Sequence, residues 1–182
     1  MKKLTSLALL LLIAGCSTNH FQYIPETDVT PITQAERIPL HLGEVDVEIA
    51  KAEPVDHFFF NVEGKGNYEP VFKKAFAEAL QESLDESTLF GGTKESAILK
   101  ATVLQFSQLS VGLQFPTTLV VRYQLVDEKS GKVLFDQEIT STEKVPVTTA
   151  YLGTTRAVDA RNLAVQQNIT QLLNALKVAR IH

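Results

Sequence analysis

The sequence predicts an α+β domain: an antiparallel sheet of four to five strands with two helices packed on one face, in the order β-β-α-β-β-β-α. Three observations carry this. Segments of period-two alternation recur, as in Val45, Val47, Ile49 and again in Leu119, Val121, Tyr123, Leu125. Two longer segments carry apolar residues along a single helical face, so each needs a sheet to cover. A turn-forming run, Asp127-Glu128-Lys129-Ser130-Gly131-Lys132, joins two of the strands.

The domain opens near Ile38. Val45, Val47 and Ile49 alternate with Glu44, Asp46 and Glu48, which predicts a half-buried strand with an acidic outer face. His57-Phe58-Phe59-Phe60-Asn61-Val62 reads as a second strand, and Glu63-Gly64-Lys65-Gly66-Asn67 breaks the chain. A helix follows over 69–87, with Asn67 or Tyr68 at its start and Pro70 tolerated in the first turn. Phe72, Ala75, Phe76, Ala79, Leu80 and Leu84 share its apolar face, and Gly91-Gly92 is the expected stop. Residues 98–106 are apolar on both faces near their middle, which predicts an interior strand. Residues 119–125 and the return strand through Val133, Phe135 and Ile139 flank the turn at Gly131, so their pairing is antiparallel. Residues 146–153 read as a loop. The last helix spans 155–178, capped by Thr154 or Thr155, with Val158, Val165, Ile169, Leu172 and Leu176 as its buried stripe.

Ahead of this domain stand Lys2 and Lys3, an uncharged apolar run from Leu7 to Ile13, and then Ala14-Gly15-Cys16. A basic start, a short apolar core and small residues before the cut describe a secretory signal peptide. Cys16 is the only cysteine of the chain, and Ile13-Ala14-Gly15-Cys16 resembles the lipobox of bacterial lipoproteins. That resemblance implies cleavage after Gly15 and acyl chains on Cys16, each buried methylene contributing roughly 0.8 kcal/mol to membrane attachment. The organisation expected is residues 1–15 as lipoprotein signal peptide, 16–36 as lipidated tether and 37–182 as one globular domain. Pro25 and Pro31 favour an extended tether. Phe21, Tyr23 and Ile24 within it either dock on the domain or stay at the lipid interface. Ser17, where Asp commonly retains a lipoprotein in the inner membrane, favours the periplasmic side of the outer membrane in a Gram-negative bacterium.

Acylation of Cys16 would leave no thiol for disulfides, nucleophilic catalysis or metal ligation. Of 17 basic residues, losing Lys2 and Lys3 leaves 15 against 21 acidic ones. No basic block survives, so nucleic acid is not an expected partner. No segment after the signal approaches the ~18 apolar residues of a membrane span.

The element order, with Tyr123-Gln124-Leu125-Val126-Asp127, Ser130-Gly131-Lys132-Val133-Leu134, Arg156 and the run from Asn162 to Leu176, resembles small outer-membrane lipoproteins. It is similar to the YajG-like lipoproteins and to the auxiliary lipoproteins of ABC-type lipid transport systems, over residues 68–178. The resemblance implies a non-enzymatic envelope protein, and the second group implies work beside lipid-transfer machinery. Neither supplies a site motif that these residues match.

Motifs for catalysis are absent from the sequence. His20, His41, His57 and His182 form no i, i+4 pair, and neither His-Glu-x-x-His nor Gly-x-Ser-x-Gly occurs. His57 reads as a strand-edge residue rather than a perturbed base. Gly64-Lys65-Gly66 is too short for a phosphate loop, and Glu44, Asp46 and Glu48 read as a solvated face. No cofactor and no metal are expected, and the chain is not expected to be an enzyme.

Two surfaces remain as candidates for binding. Leu109, Val111, Leu113 and Phe115 share one parity between two strands. They either project as an apolar ridge for a partner or a bilayer, or pack as strand ends on the core, which is the plainer reading. Tyr151 and Arg156 lie in a hydroxyl-rich stretch, 148–156, at the start of the last helix, where anions bind. Capping and loop solvation are the plainer reading there. The function expected is a lipid-anchored envelope component that binds or scaffolds another envelope protein or lipid. The alternative is an accessory lipoprotein of a lipid or ABC-type transport complex.

Overall fold

The computed structural model describes residues 37–50, 68–92, 94–108, 115–146, 148, 153–179 and 181. Four strands, β1 (His41–Ile49), β2 (Ser96–Gln108), β3 (Thr117–Asp127) and β4 (Val133–Glu143), form one sheet in the order β1-β2-β3-β4. Helix α1 (Tyr68–Ser87) lies between β1 and β2 in the chain, and α2 (Gly153–Val178) follows β4.

The sheet is mixed, not antiparallel as the sequence predicted. β1 runs parallel to β2, from His41↔Ser96 to Ile49↔Val103. The physical reason is the connection: the chain leaves β1, returns along α1 and enters β2 in β1's direction, as a crossover requires. β2–β3 and β3–β4 are antiparallel, as expected. The predicted strand at 57–62 lies outside the described residues. β2 is interior, as its two-sided apolar middle predicted.

One face of the sheet holds the core. Leu99, Ala101, Val103, Val121, Tyr123 and Leu125 are buried with Phe72, Phe76, Leu80 and Leu84 of α1 and Val165, Ile169, Leu172 and Leu176 of α2. Both helices therefore cover the same face. Phe72 stacks on Phe76 and, with ring centroids 4.5 Å apart, on Phe106 of β2. Register shifts at Leu42/Glu44 and Val103/Gln105 reset the alternation. They let Leu42 face the core with Val47, and Phe106 with Val103. The open face carries Glu44, Lys100, Glu48 and Arg122 towards solvent.

Helix α1 ends before the glycines. Ser87 is its last residue, and Thr88 takes the left-handed conformation at φ 52°. Gly91 and Gly92 serve a close approach instead. Their amides donate to Ile38 O and Leu40 O at 3.0 Å, and a β-carbon on Gly92 would collide with the Pro39 carbonyl. The domain's opening residues are thereby stitched to the end of α1.

A polar node sits inside the core. Asn168, fully buried in the apolar stripe of α2, accepts from Tyr123 OH at 2.7 Å. Its Nδ2 lies 3.1 Å from Ile139 O and 3.3 Å from Leu119 O and Ser141 Oγ. Ser141 in turn donates to Ala164 O at 2.7 Å. Burial pushes the Tyr123 phenol far above its usual range, so it stays a neutral donor. Replacing Asn168 by Ala strands the Tyr123 hydroxyl and removes the donors to two strands. It should cost about 3 kcal/mol in denaturant unfolding, and Tyr123→Phe about 1–2 kcal/mol.

Candidate functional site: the hairpin–helix junction

Phe115 and Arg156, one from each stretch singled out from the sequence, meet at one end of the sheet. Gln108 is the last residue of β2, and Phe115 and Thr117 lead into β3. The amide of Gln108 lies 2.8 Å from Thr117 Oγ1 and 2.9 Å from Ala157 O, with Phe115 O at 3.5 Å. One side chain thus ties both arms of the hairpin base to the second turn of α2.

Arg156 is 4% exposed, with its guanidinium carbon 5.9 Å from the centroid of the half-buried Phe115 ring. The first turn of α2 holds no acidic residue. A cation there opposes the helix dipole, and the face of Phe115 offsets part of that cost. Gly153 makes room, since a β-carbon there would meet Phe115 at 3.3 Å. Arg161, 7% exposed, lies one turn further along, its Nε 3.3 Å from Ala157 O.

Phe115 and Arg156 are therefore in contact. Arg156 turns inward against Phe115, while Thr148 and Thr155 are exposed. Leu109, Val111, Leu113 and Tyr151 lie outside the described residues, as do Gly15 and Cys16. Gln108 and Thr117 were missed by sequence reasoning. Their signal was a polar pair at inward parity beyond Phe106 and Leu119.

The described side chains of this junction are amide, hydroxyl, aromatic and guanidinium groups. None is a general base near neutral pH, so their chemistry is to hold and orient. Among the described residues, no group of three His, Cys, Asp or Glu is placed to hold a metal, and no helix is long and apolar enough to cross a membrane. A cleft of about 670 Å³ at the other end of the sheet is lined by Leu40, Lys94, Glu95, Asp127, Lys129 and Lys132 among others. Its charges are mixed, and Asp127, held below its usual range by the Ser130 hydroxyl and amide, is committed to the turn. Gly131 completes that turn at φ +71°, as the sequence predicted.

On the open face, Arg122 binds Asp136 through Nε at 2.8 Å and Nη2 at 2.6 Å, and Gln124 adds a bond at 2.9 Å. The Arg122 and Gln124 bonds hold the Asp136 carboxyl down to about 2.

No protein-family model and no curated relative matches the sequence. Solved structures do match. Protein XCC0632 from Xanthomonas campestris, described with the family DUF330, aligns at TM-score 0.57 with 12% identity, over 81% of this chain and 90% of that one. Protein CT253 from Chlamydia trachomatis aligns at 0.50 with 10% identity, over 77% and 97%. The chain shares their fold. A looser likeness, at 0.46 and 12% identity, is to a minor lipoprotein from Acinetobacter baumannii, over 76% and 94%.

Two outcomes follow from this geometry. Gln108→Ala should cost about 1–2 kcal/mol in unfolding. It should also speed amide exchange at the base of the hairpin, around Thr117, before the centre of β3. The Asp136 contribution to stability is full above the ordinary carboxylate value of 3.8 and is lost as pH falls towards about 2. In Arg122→Gln, the carboxyl carbon of Asp136 should titrate close to that ordinary value by NMR.

Proposed function

We propose that this chain is a lipid-anchored, non-catalytic envelope protein. It captures or scaffolds another envelope component from the periplasmic side of the outer membrane. The observation that carries the reading is Ile13-Ala14-Gly15-Cys16, with Ser17 next, ahead of a domain with its own core. The fold shared with XCC0632 and CT253 is compatible with it and adds no function of its own.

The contact face in this reading is the end of the domain where Gln108, Phe115 and Thr117 meet the first turns of α2. Three features support it. Gln108 fixes the hairpin base to α2, Phe115 meets Arg156 across the junction, and Thr155, next to Arg156 in the chain, is exposed, as is Thr148. A junction of orienting groups suits capture of a partner rather than turnover of a substrate.

Palmitate fed to growing cells should label the native chain and partition it with outer membranes. Cys16→Ser should lose the label and appear in the soluble fraction. An unlabelled, soluble native chain would end the anchor reading. A photo-crosslinking residue at Thr148 should capture one envelope component that the same residue at Lys129, at the opposite end, does not. Equal capture from both ends would remove the contact face.

A further inference from the structure

We propose that the chain self-associates through the outer edge of β4 and the adjoining flank of α2, so that two copies share one continuous eight-stranded sheet. The proposal stands apart from the anchor and from the hairpin–helix junction.

β4 ends the sheet, and among the described residues no strand pairs with its outer edge. It is eleven residues long. Asp136, Gln137, Glu138, Thr140 and Thr142 are all exposed, and among the described residues none covers the middle of that edge. A row of unpaired backbone donors and acceptors is a template for another strand.

The charges fit a second copy in the antiparallel register centred on Thr140. With Thr140 on the two-fold axis, Asp136 of each copy faces Lys144 of the other, and Phe135 faces Val145. Centring on Glu138 would oppose Glu138 to itself, and centring on Gln137 would oppose Asp136 to Glu138. Both place like charges face to face. In the Thr140 register the pairing ends at Val145, before Pro146, which lacks an amide to continue it.

Helix α2 supplies the second, independent observation. From Asn162 to Leu176, about four turns, it carries no charged residue. Yet Leu163, Gln167, Thr170 and Asn174 are exposed, and Val178 beyond them is 81% exposed. The outer face of α1, by contrast, exposes Lys73, Lys74, Glu78, Glu82, Asp85 and Glu86. Loss of charge on an exposed face is the compositional mark of an interface centre.

The geometry joins the two surfaces. Bonds from Asn168 to Leu119 O and Ile139 O place α2 above the β3–β4 boundary, half a strand spacing inside β4. The two-fold axis lies half a spacing outside β4. The two copies of α2 then run two strand spacings apart, about 9–10 Å, which is the distance at which helices pack. Gln167, Gln171 and Val178 lie one step round from Ala164, which faces β4 through Ser141, and so line the seam.

The test uses the full chain in intact cells. Thr140→Cys should give a disulfide-linked dimer on oxidation, above the background set by the native chain, whose one cysteine is Cys16. Glu138→Cys should not, because its two copies would stand about 13 Å apart along the strands, beyond disulfide reach. Gln167→Glu should weaken the self-association of detergent-solubilised chain by roughly tenfold or more. Its far-UV circular dichroism should stay unchanged, because Gln167 is exposed and no core contact is lost. The proposal is overturned if light scattering finds only monomer and Thr140→Cys crosslinks no better than Lys94→Cys. It is equally overturned if Glu138→Cys crosslinks in place of Thr140→Cys, or if Thr140→Cys joins only a different protein.

Discussion

The placement of α2 depends on one buried amide. An apolar stripe alone would let the helix slide along the sheet by a turn at little cost, because Leu and Ile contacts are non-directional. Asn168 removes that freedom. Its donors serve carbonyls on two neighbouring strands and its acceptor takes the Tyr123 hydroxyl. Any other register would leave the Asn168 amide and the Tyr123 hydroxyl buried without these partners, at about 1–3 kcal/mol each. With α2 fixed there, its first turns arrive beside the hairpin base, where Gln108 reaches Ala157 O and Arg156 meets Phe115. The core node and the surface junction are parts of one alignment.

The elements were legible in the sequence because burial is one-sided, and one-sided burial writes its period into the residues. Val45, Val47 and Ile49, Leu119 to Leu125, and Phe72 to Leu84 each carry that period. The direction of β1 was not legible. A parallel strand and an antiparallel strand alternate alike, and the choice rests on the connection. The helix ends at Ser87, as expected from the sequence, but the glycine pair is not what stops it. Gly91-Gly92 is the stronger stop by propensity, but the chain turns at Thr88 because Ser87 supplies the capping bonds, accepting from Leu89 N and donating to Leu84 O. The glycines were needed where backbone meets backbone at Pro39.

The candidate site was legible by residue type and not by contact. Phe115 and Arg156 stood out, one as an aromatic in a turn and the other as a cation at a helix start. Their meeting depends on strand lengths and on the Asn168 alignment, neither of which the local sequence encodes. Gln108 was invisible because its acceptor is a backbone carbonyl far along the chain, and any residue could supply that carbonyl. Asn168 carried a signal that went unused: an amide among Val165, Ile169 and Leu172 on an otherwise apolar face. A buried amide has to be answered by partners, so such a residue marks where two elements are locked together.

The groups that align α2 on the sheet do not titrate in the ordinary range. Asn168 and Ser141 have no accessible ionisation, and burial keeps the Tyr123 phenol neutral well past the usual range. The shifted carboxyls, Asp127 and Asp136, stand on the turn and the open face. The alignment of α2 on the sheet is therefore the same at any pH at which the chain stays folded. Acid weakens the Arg122–Asp136 tie on the open face and leaves the Asn168 node unchanged. The surface charge can therefore change with pH while the alignment behind it stays fixed.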